Sequence, residues 1–230
     1  MIEVIAFDAD DTLWHSESLY VMTQEGFKEV LAPYELNGDI DAKLYETEMG
    51  NLKTFGYGAK GFTLSMIETA IELTDGRIQG RDIQKIINAV REMISRDIKL
   101  LDGVAETIPL LARDYTLMMI TKGDLLDQES KIARSGLDEY FQIIEVVSTK
   151  NKDVYQKLLD RNGIDIARFL MVGNSVPSDI LPVLALGAPG VHIPYQYTWS
   201  HEHVELDQDP QGLYRLQNIG QLPELLNQIN

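Results

Sequence analysis

The sequence predicts an α/β protein whose core is a doubly wound parallel sheet, with an all-helical domain inserted into that core. Five short runs of the chain are almost continuously apolar, which is typical of strands covered by helices on both faces. Helical patterns separate the last four runs. The interval between the first two runs, residues 8–114, is far longer than a crossover between parallel strands requires. An insertion after the first strand explains this length.

Each apolar run is predicted to be one strand of the core. In chain order the runs are residues 2–7, 115–121, 143–148, 169–172 and 191–193. Helices are predicted between the later strands at residues 124–135, 153–162 and 178–186. A further helix at residues 104–111 leads back from the insertion into the second strand.

The insertion is predicted to be a small helical bundle above the sheet. Apolar residues recur at three- and four-residue spacing in four segments, at residues 17–31, 39–51, 62–73 and 81–98. The expected domains are therefore a core of residues 1–15 and 100–230 and an inserted domain of residues 16–99.

Composition excludes several classes of function. Twenty Lys and Arg residues stand against 36 Asp and Glu residues, so the net charge of −16 disfavours nucleic acid and anionic membranes as partners. The chain has no cysteine, which excludes disulfides, thiolate nucleophiles and Cys-ligated zinc. No secretory signal opens the sequence, and Pro and Gly residues interrupt the longest uncharged stretch, residues 180–200. We expect a cytoplasmic protein that binds small ligands or cations.

The end of the first strand carries the most informative motif. Asp8 and Asp10 are two residues apart, so at a strand end their side chains face one site. Two such carboxylates can act as a nucleophile, an acid/base or ligands for a hard cation. The alternative is an acidic loop that caps a helix.

With Thr12, these residues give the sequence Asp8-Ala9-Asp10-Asp11-Thr12, which resembles the first motif of the haloacid dehalogenase superfamily of phosphohydrolases. The later motifs of that superfamily have candidates in the expected order. Thr121 follows the second strand, Lys150 or Lys152 follows the third, and the segment from Gly173 through Asn174 to Asp179 follows the fourth. The resemblance covers the whole core, and the insertion matches the helical C1-type cap of that superfamily.

The resemblance implies a role for each motif residue. Asp8 would attack phosphorus to form an aspartyl-phosphate, Asp10 would act as acid and then base, and Thr121 and Lys150 would bind the phosphoryl group. The cofactor would be Mg²⁺. Its ligands would be Asp8, Asp10 through a backbone carbonyl, Asn174 and Asp179. Further substrate contacts are expected from Thr12, Lys122, Gly123 and Lys60.

Three features leave alternatives open. Lys152 is the second candidate for the phosphate-site lysine. Asn174 stands where most members of the superfamily have an aspartate, and it is either a neutral ligand or a turn residue. Lys60 lies in a glycine-rich segment, residues 56–61, which either contacts substrate or only connects two helices. That segment follows a helix rather than a strand, which excludes a dinucleotide site.

One polar and aromatic cluster follows the fifth strand. Its members are Trp199, His201, Glu202 and His203. The spacing of the two histidines is compatible with zinc, but the sequence offers no third ligand, so a surface loop is favoured.

The predicted function is therefore the Mg²⁺-dependent hydrolysis of a small phosphorylated metabolite. The alternatives are a phosphomutase of the same superfamily and a non-catalytic phosphate-binding module, which Asn174 favours. A dehalogenase is disfavoured because that branch of the superfamily lacks the aspartate that Asp10 provides.

Overall fold

A computed structural model describes residues 1–36, 38–197, 199, 202, 204, 206 and 208–230. Its sheet is entirely parallel, with the strand order β3-β2-β1-β4-β5-β6. The strands are β1 (Val4–Phe7), β2 (Thr116–Lys122), β3 (Ile143–Val147), β4 (Phe169–Gly173), β5 (Gly190–His192) and β6 (Leu213–Arg215). The α/β fold class predicted from the sequence is confirmed.

The α-helices among the described residues are named here in chain order. They are α1 (Glu17–Leu31), α2 (Ile40–Phe55), α3 (Ala59–Leu73), α4 (Gly80–Ser95), α5 (Val104–Leu111), α6 (Leu125–Ser135), α7 (Lys152–Asn162), α8 (Leu181–Leu184) and α9 (Leu222–Ile229). Most lie within a few residues of the predicted segments. Strand β6 and helix α9 were not predicted.

The helix predicted at residues 178–186 is present, but it begins two residues earlier and its first turn is π-helical. The chain makes a π-helical turn at Val176–Ile180 and then the single-turn helix α8. Pro182 has no N–H to donate to the carbonyl of Ser178, four residues earlier, so a regular α-helix cannot continue through this point. The hydroxyl of Tyr155 donates to that carbonyl instead, at 3.2 Å.

Alternate residues of the central strands pack on opposite faces of the sheet. Ile5 and Phe7 of β1 belong to a buried cluster that includes residues of α5 and α9. Ala6 belongs to a second cluster that includes residues of α7 and α8. Burial on both faces explains why these strands are continuously apolar rather than alternating.

The order of the strands places a crevice beside β1. The chain runs outward from β1 through β2 to β3 and then returns to form β4 on the other side of β1. Parallel sheets bind ligands at the carboxyl ends of the strands where the order reverses. Residues that directly follow β1 and β4 are therefore in the position to form a site.

The chain divides into two compact units. The core unit contains Met1–Glu17, Ile98–Lys122 and Ser130–Asn230, and the helical unit contains Ser18–Asp97 and Gly123–Glu129. The helical unit has its own buried apolar cluster, whose larger members are Phe27, Leu31, Leu44, Phe62, Met66, Ile86 and Val90. Within the described residues, every helix is too short or too polar to cross a lipid bilayer.

Candidate active site

The first group of polar residues surrounds Asp8, directly after β1. The Lys150 ammonium donates to the Asp8 carboxylate and, at 2.7 Å, to Oδ1 of Asp179. On the other side, the Thr12 hydroxyl lies 3.2 Å from Oδ2 of Asp8. All four residues are buried. The structure thus holds Asp8 between an ammonium group and a hydroxyl group.

The two lysine candidates after β3 occupy different environments. Lys150 has a side chain only 1% exposed and pairs with two carboxylates. Lys152 is exposed at the first position of α7. Asn151 separates them and caps that helix, its side chain accepting from the backbone N–H of Val154 at 3.0 Å. The geometry therefore favours Lys150 as the lysine of the site.

The electrostatics of Asp8 reflect its burial. Loss of solvent raises the pKa of the Asp8 carboxyl above its ordinary range, and the charge of Asp179 raises it further, while Lys150 opposes the shift. Burial would lower the pKa of Lys150, but the charges of Asp179 and Asp8 outweigh burial and raise it. Lys150 is therefore a fixed positive charge at the site.

The loop after β4 brings Asn174 next to Asp8. Oδ1 of Asn174 lies 3.2 Å from the Thr12 hydroxyl, which also accepts from the Asn174 backbone N–H at 3.1 Å. One hydroxyl group thus contacts both Asp8 and Asn174, so oxygens of these two side chains converge.

Asp179 is completely buried behind this loop. Its Oδ1 accepts from Lys150 at 2.7 Å and its Oδ2 from the backbone N–H of Ser175 at 3.0 Å. A Cβ atom at Gly173 would lie 2.2 Å from Oδ2 of Asp179, so only glycine fits there. Asp179 therefore fixes both the loop and the position of Lys150.

A row of three side chains supports the backbone of Asn174. His192, the last residue of β5, contacts the Asn174 carbonyl through Nε2 at 2.9 Å, and Arg215 contacts its Nδ1 at 2.9 Å. Asp209 accepts from Arg215 in turn, at 2.7 Å. A guanidinium donates only, so Nδ1 is the acceptor and Nε2 carries the proton that is donated to the carbonyl. Burial, with Arg215 nearby, lowers the pKa of His192, which keeps the imidazole neutral.

Asp10 has a separate set of partners. The Lys131 ammonium donates to both carboxylate oxygens of Asp10, each at 2.7 Å, and the indole N–H of Trp14 donates to Oδ1 at 2.7 Å. Neither partner was predicted from the sequence. The signal that could have identified Lys131 is its position at the edge of the apolar stripe of α6. It directly precedes Ile132, a residue of the buried core.

Lys122 and Glu202 form a third group at the end of β2. Lys122 donates to Glu202 and to the Ser178 hydroxyl, the latter at 2.9 Å. Burial disfavours the charged form of Glu202, but Lys122 outweighs this effect and lowers its pKa. Burial raises the pKa of Glu17 to about 7, with contributions from the charges of Glu202 and Asp10. Thr121 is buried one residue before Lys122 in β2.

Asp11 has a structural position rather than one facing the other carboxylates. It adopts a left-handed conformation, with φ of 62°, and its carboxylate accepts from the backbone N–H groups of Ser16 and Glu17 at 2.8 and 2.9 Å. Burial raises its pKa to about 8, although these hydrogen bonds oppose the shift. Asp11 therefore caps the start of α1.

Two predicted substrate residues belong to the helical unit. Lys60 donates to both carboxylate oxygens of Asp124, at 3.0 and 2.9 Å, within that unit. Gly123 has a φ of 144° and lies in the same unit.

Trp199 and Glu202 are the described members of the cluster after β5. His201 and His203 lie outside the described residues, and Glu202 pairs with Lys122. Among the residues that are described, no three His, Asp or Glu side chains are grouped so that they could hold a metal ion by themselves.

This chain is similar to proteins of known family. The profile of the haloacid dehalogenase-like hydrolases matches residues 2–187. A haloacid dehalogenase-like hydrolase from Xanthomonas campestris has a crystal structure with a TM-score of 0.89 and 41% sequence identity; the match covers 99% of this chain and 91% of that one.

Two named relatives are more distant. The pyrimidine 5'-nucleotidase of Escherichia coli is 25% identical over 68% of this chain and 71% of its own length. The glyceraldehyde 3-phosphate phosphatase of Methanothermobacter thermautotrophicus is 24% identical over 98% of this chain and 100% of its own length.

Proposed function

Because this chain belongs to the haloacid dehalogenase-like hydrolases, we propose that it hydrolyses the phosphomonoester of a small metabolite through an aspartyl-phosphate on Asp8. One observation carries the proposal. The buried Asp8 carboxylate lies at the carboxyl end of β1 between the Lys150 ammonium and the Thr12 hydroxyl. A carboxylate held in this way can attack phosphorus while neighbouring charges and donors stabilise the phosphoryl group.

In the first step, an oxygen of Asp8 would form a bond to phosphorus as the bond from phosphorus to the leaving oxygen breaks. Asp10, in its protonated form, would give its proton to that oxygen, so the leaving group departs as an alcohol. Thr121 and Lys122, at the end of β2, are the proposed donors to the phosphoryl oxygens. The Lys150 charge offsets the negative charge that Asp8 and the phosphoryl group bring together.

In the second step, Asp10, now a carboxylate, would take a proton from water as that water attacks phosphorus. The bond from phosphorus to Asp8 breaks, inorganic phosphate leaves, and Asp10 is protonated again for the next turnover. Water as the final acceptor distinguishes this reaction from that of a phosphomutase, in which the phosphoryl group returns to substrate.

The residues present fit a magnesium ion, which we propose as the cofactor. Oxygens of Asp8 and Asn174 converge on the Thr12 hydroxyl, each at 3.2 Å, and the backbone carbonyl of Asp10 is the third proposed ligand. Mg²⁺ is commonly held by one or two carboxylates and several waters, so a small set of oxygen ligands is sufficient. A bound ion would offset the repulsion between the Asp8 carboxylate and the phosphate dianion. Asp179 remains a proposed ligand, although both its oxygens already accept hydrogen bonds.

We also propose that residues 16–99 act as a cap that selects the substrate. The two named relatives act on different phosphomonoesters, a pyrimidine nucleotide and glyceraldehyde 3-phosphate. The phosphoryl chemistry is assigned to the core unit, so the choice of leaving group is assigned to the helical unit. Lys60, which is 64% exposed, and Gly123 are the candidates for contact with substrate there.

The test is a screen of phosphorylated metabolites for release of inorganic phosphate, with and without Mg²⁺. It should include pyrimidine 5'-nucleotides, glyceraldehyde 3-phosphate and p-nitrophenyl phosphate. We expect turnover that requires Mg²⁺ and is abolished in Asp8→Asn, because an amide of the same shape is a far poorer nucleophile. Persistent phosphate release by Asp8→Asn would contradict the role of Asp8. Isomerised phosphate ester without free phosphate would indicate a mutase, and binding without either product a non-catalytic module.

Asn174 provides a separate test of the metal site. The affinity of oxygen-ligand sites for cations depends in part on the number of charged ligands, so Asn174→Asp should lower the Mg²⁺ concentration required for half-maximal activity. Full activity in a chelator would contradict the role of magnesium. An unchanged Mg²⁺ requirement in Asn174→Asp would instead remove Asn174 from the ligand set.

A further inference from the structure

We propose that Lys131, together with Trp14, is a positioning residue that fixes the carboxylate of Asp10 for acid/base catalysis. The inference rests on the proposed function, since it concerns the residue that handles the proton there. It goes beyond that function because neither Lys131 nor Trp14 is one of the motif residues assigned to the site.

The contacts define the orientation of the carboxylate completely. Lys131 Nζ is 2.7 Å from each oxygen of Asp10, and Trp14 Nε1 is 2.7 Å from Oδ1. A carboxylate with donors on both oxygens cannot rotate about its last torsion without breaking at least one charge-assisted hydrogen bond. Oδ1 accepts from two donors, which use both of its lone pairs. The Lys131 ammonium and the Trp14 indole therefore fix Oδ1, and Lys131 also holds Oδ2.

Burial indicates that these partners are not incidental surface contacts. Trp14 is fully buried and Lys131 is only 9% exposed, whereas lysine side chains are rarely buried unless paired. The side chain of Asp10 is 26% exposed, so it keeps access to solvent or substrate while its partners do not. A rigid, buried support beneath a partly open carboxylate is the arrangement that a positioned acid/base group requires.

The surrounding charges explain why Asp10 requires such a support. The charges of Asp10 and Glu202 each raise the pKa of Glu17, so Asp10 has at least one acidic neighbour that repels it. Lys122 offsets Glu202, and Lys131 offsets Asp10. Without Lys131, repulsion would favour orientations of Asp10 that point away from its acidic neighbours.

The experiment compares two esters of similar size whose leaving groups differ in acidity, p-nitrophenyl phosphate and benzyl phosphate. Loss of the first needs little protonation, whereas loss of benzyl alcohol needs the proton from Asp10. Lys131→Met should therefore lower kcat/KM for benzyl phosphate by about 10- to 100-fold more than for p-nitrophenyl phosphate, with little change in KM. Lys131→Arg keeps the charge and should restore part of the loss.

Two controls separate positioning from stability. Lys157→Met removes an exposed lysine from α7 of the same core unit and should change neither ester. Trp14→Phe keeps an aromatic, though smaller, side chain and removes the N–H donor, and it should show the same selective loss on benzyl phosphate in a smaller amount. This second variant decides the question if Lys131→Met does not fold.

The outcomes distinguish this inference from the function on which it rests. Equal losses on the two esters, or no loss on either, would overturn the positioning role while leaving the hydrolase mechanism in place. Absence of phosphate release from both esters by the wild type would overturn the proposed function and the inference with it.

Discussion

At the scale of single residues, Lys150 links two buried carboxylates of the core unit. Its ammonium, with a side chain 1% exposed, is shared by two buried carboxylates. Breaking a buried ion pair by removing one partner typically costs about 3–5 kcal/mol, because the remaining charge stays buried without compensation. The same group that is assigned to the phosphoryl chemistry is therefore also a determinant of stability.

Lys150→Met should accordingly reduce the free energy of unfolding by about 3–5 kcal/mol at neutral pH. This loss of unfolding free energy, relative to the wild type, should be smaller at lower pH. The folded-state pKa of Asp8 is already raised by burial, and removal of Lys150 removes the charge that lowers it. The aspartate pKa of the unfolded chain is about 3.9, and the pKa of Asp8 in the folded variant is higher. Between these two values, the folded variant keeps a proton that the unfolded chain has lost. The stability of the variant therefore decreases as the pH rises from the lower value to the higher one.

Urea denaturation of wild type and variant at pH 5 and pH 8, both in chelator, measures this difference. Lys152→Met, which removes an exposed lysine two residues away, is the control and should have little effect at either pH. A deficit of the same size at both pH values would show that removal of Lys150 leaves the folded-state pKa of Asp8 unchanged.

The sequence could identify the site residues that lie within motifs but not those that only the fold brings near. The alternation of side chains at a strand end was enough to select Asp8 and Asp10 as candidates, although their hydrogen-bond partners differ in the structure. The spacing of residues in the sequence could not distinguish Lys150 from Lys152. The direction of each side chain depends on where α7 begins, and Asn151 caps the start of that helix. Lys131 is 121 residues from Asp10, so their contact depends on tertiary packing alone.

At the scale of elements, the turn between α2 and α3 depends on one close approach. A Cβ atom at Gly61 would lie 2.7 Å from the carbonyl oxygen of Gly56, whose φ is 72°. By contrast, a Cβ atom at Gly50, within α2, would have no heavy atom within 4 Å. The two glycines thus serve different purposes in neighbouring helices.

Alanine should have opposite effects at these two positions. Gly61→Ala should destabilise the protein by about 1–3 kcal/mol because the backbone of the turn must shift to admit the methyl group. Gly50→Ala should stabilise it by up to about 1 kcal/mol because alanine loses less conformational freedom than glycine in a helix. Urea denaturation followed by far-ultraviolet circular dichroism measures both. Equal effects of the two substitutions would rule out the close approach at Gly61.

The elements that the sequence did not predict share a physical cause. Strand β6 has only three residues, Leu213–Arg215, none of them buried, so it lacks the continuous apolar run by which the central strands were identified. The π-helical turn at Val176–Ile180 is closed by one bond, from the Leu181 N–H to the Val176 carbonyl, and such a local feature is concealed by the average helical periodicity. Long amphipathic helices such as α1 and α4 carry many repeats of the pattern and were predicted closely.

At the scale of the whole molecule, the distribution of charge sets the conditions in which the site operates. The chain has 36 acidic against 20 basic residues, which gives a net charge of −16. The site is acidic as well. Four acidic side chains, of Asp8, Asp10, Asp179 and Glu202, pair there with the ammonium groups of only three lysines, Lys122, Lys131 and Lys150. Such a field attracts a divalent cation and repels a phosphate dianion before either makes contact.

Salt should therefore change the apparent affinities of the two ligands in opposite directions. Raising the ionic strength shortens the Debye length from about 30 Å at 0.01 M to about 8 Å at 0.15 M, which screens long-range forces but not contacts within the site. The Mg²⁺ concentration for half-maximal activity should rise with salt, while KM for p-nitrophenyl phosphate at saturating Mg²⁺ should fall. Sucrose at matched osmolality is the control and should change neither. The contrary result is that added salt moves the half-maximal Mg²⁺ concentration and KM for p-nitrophenyl phosphate in the same direction. In that case the three lysines of the site, rather than the net charge of the whole molecule, would control the approach of substrate.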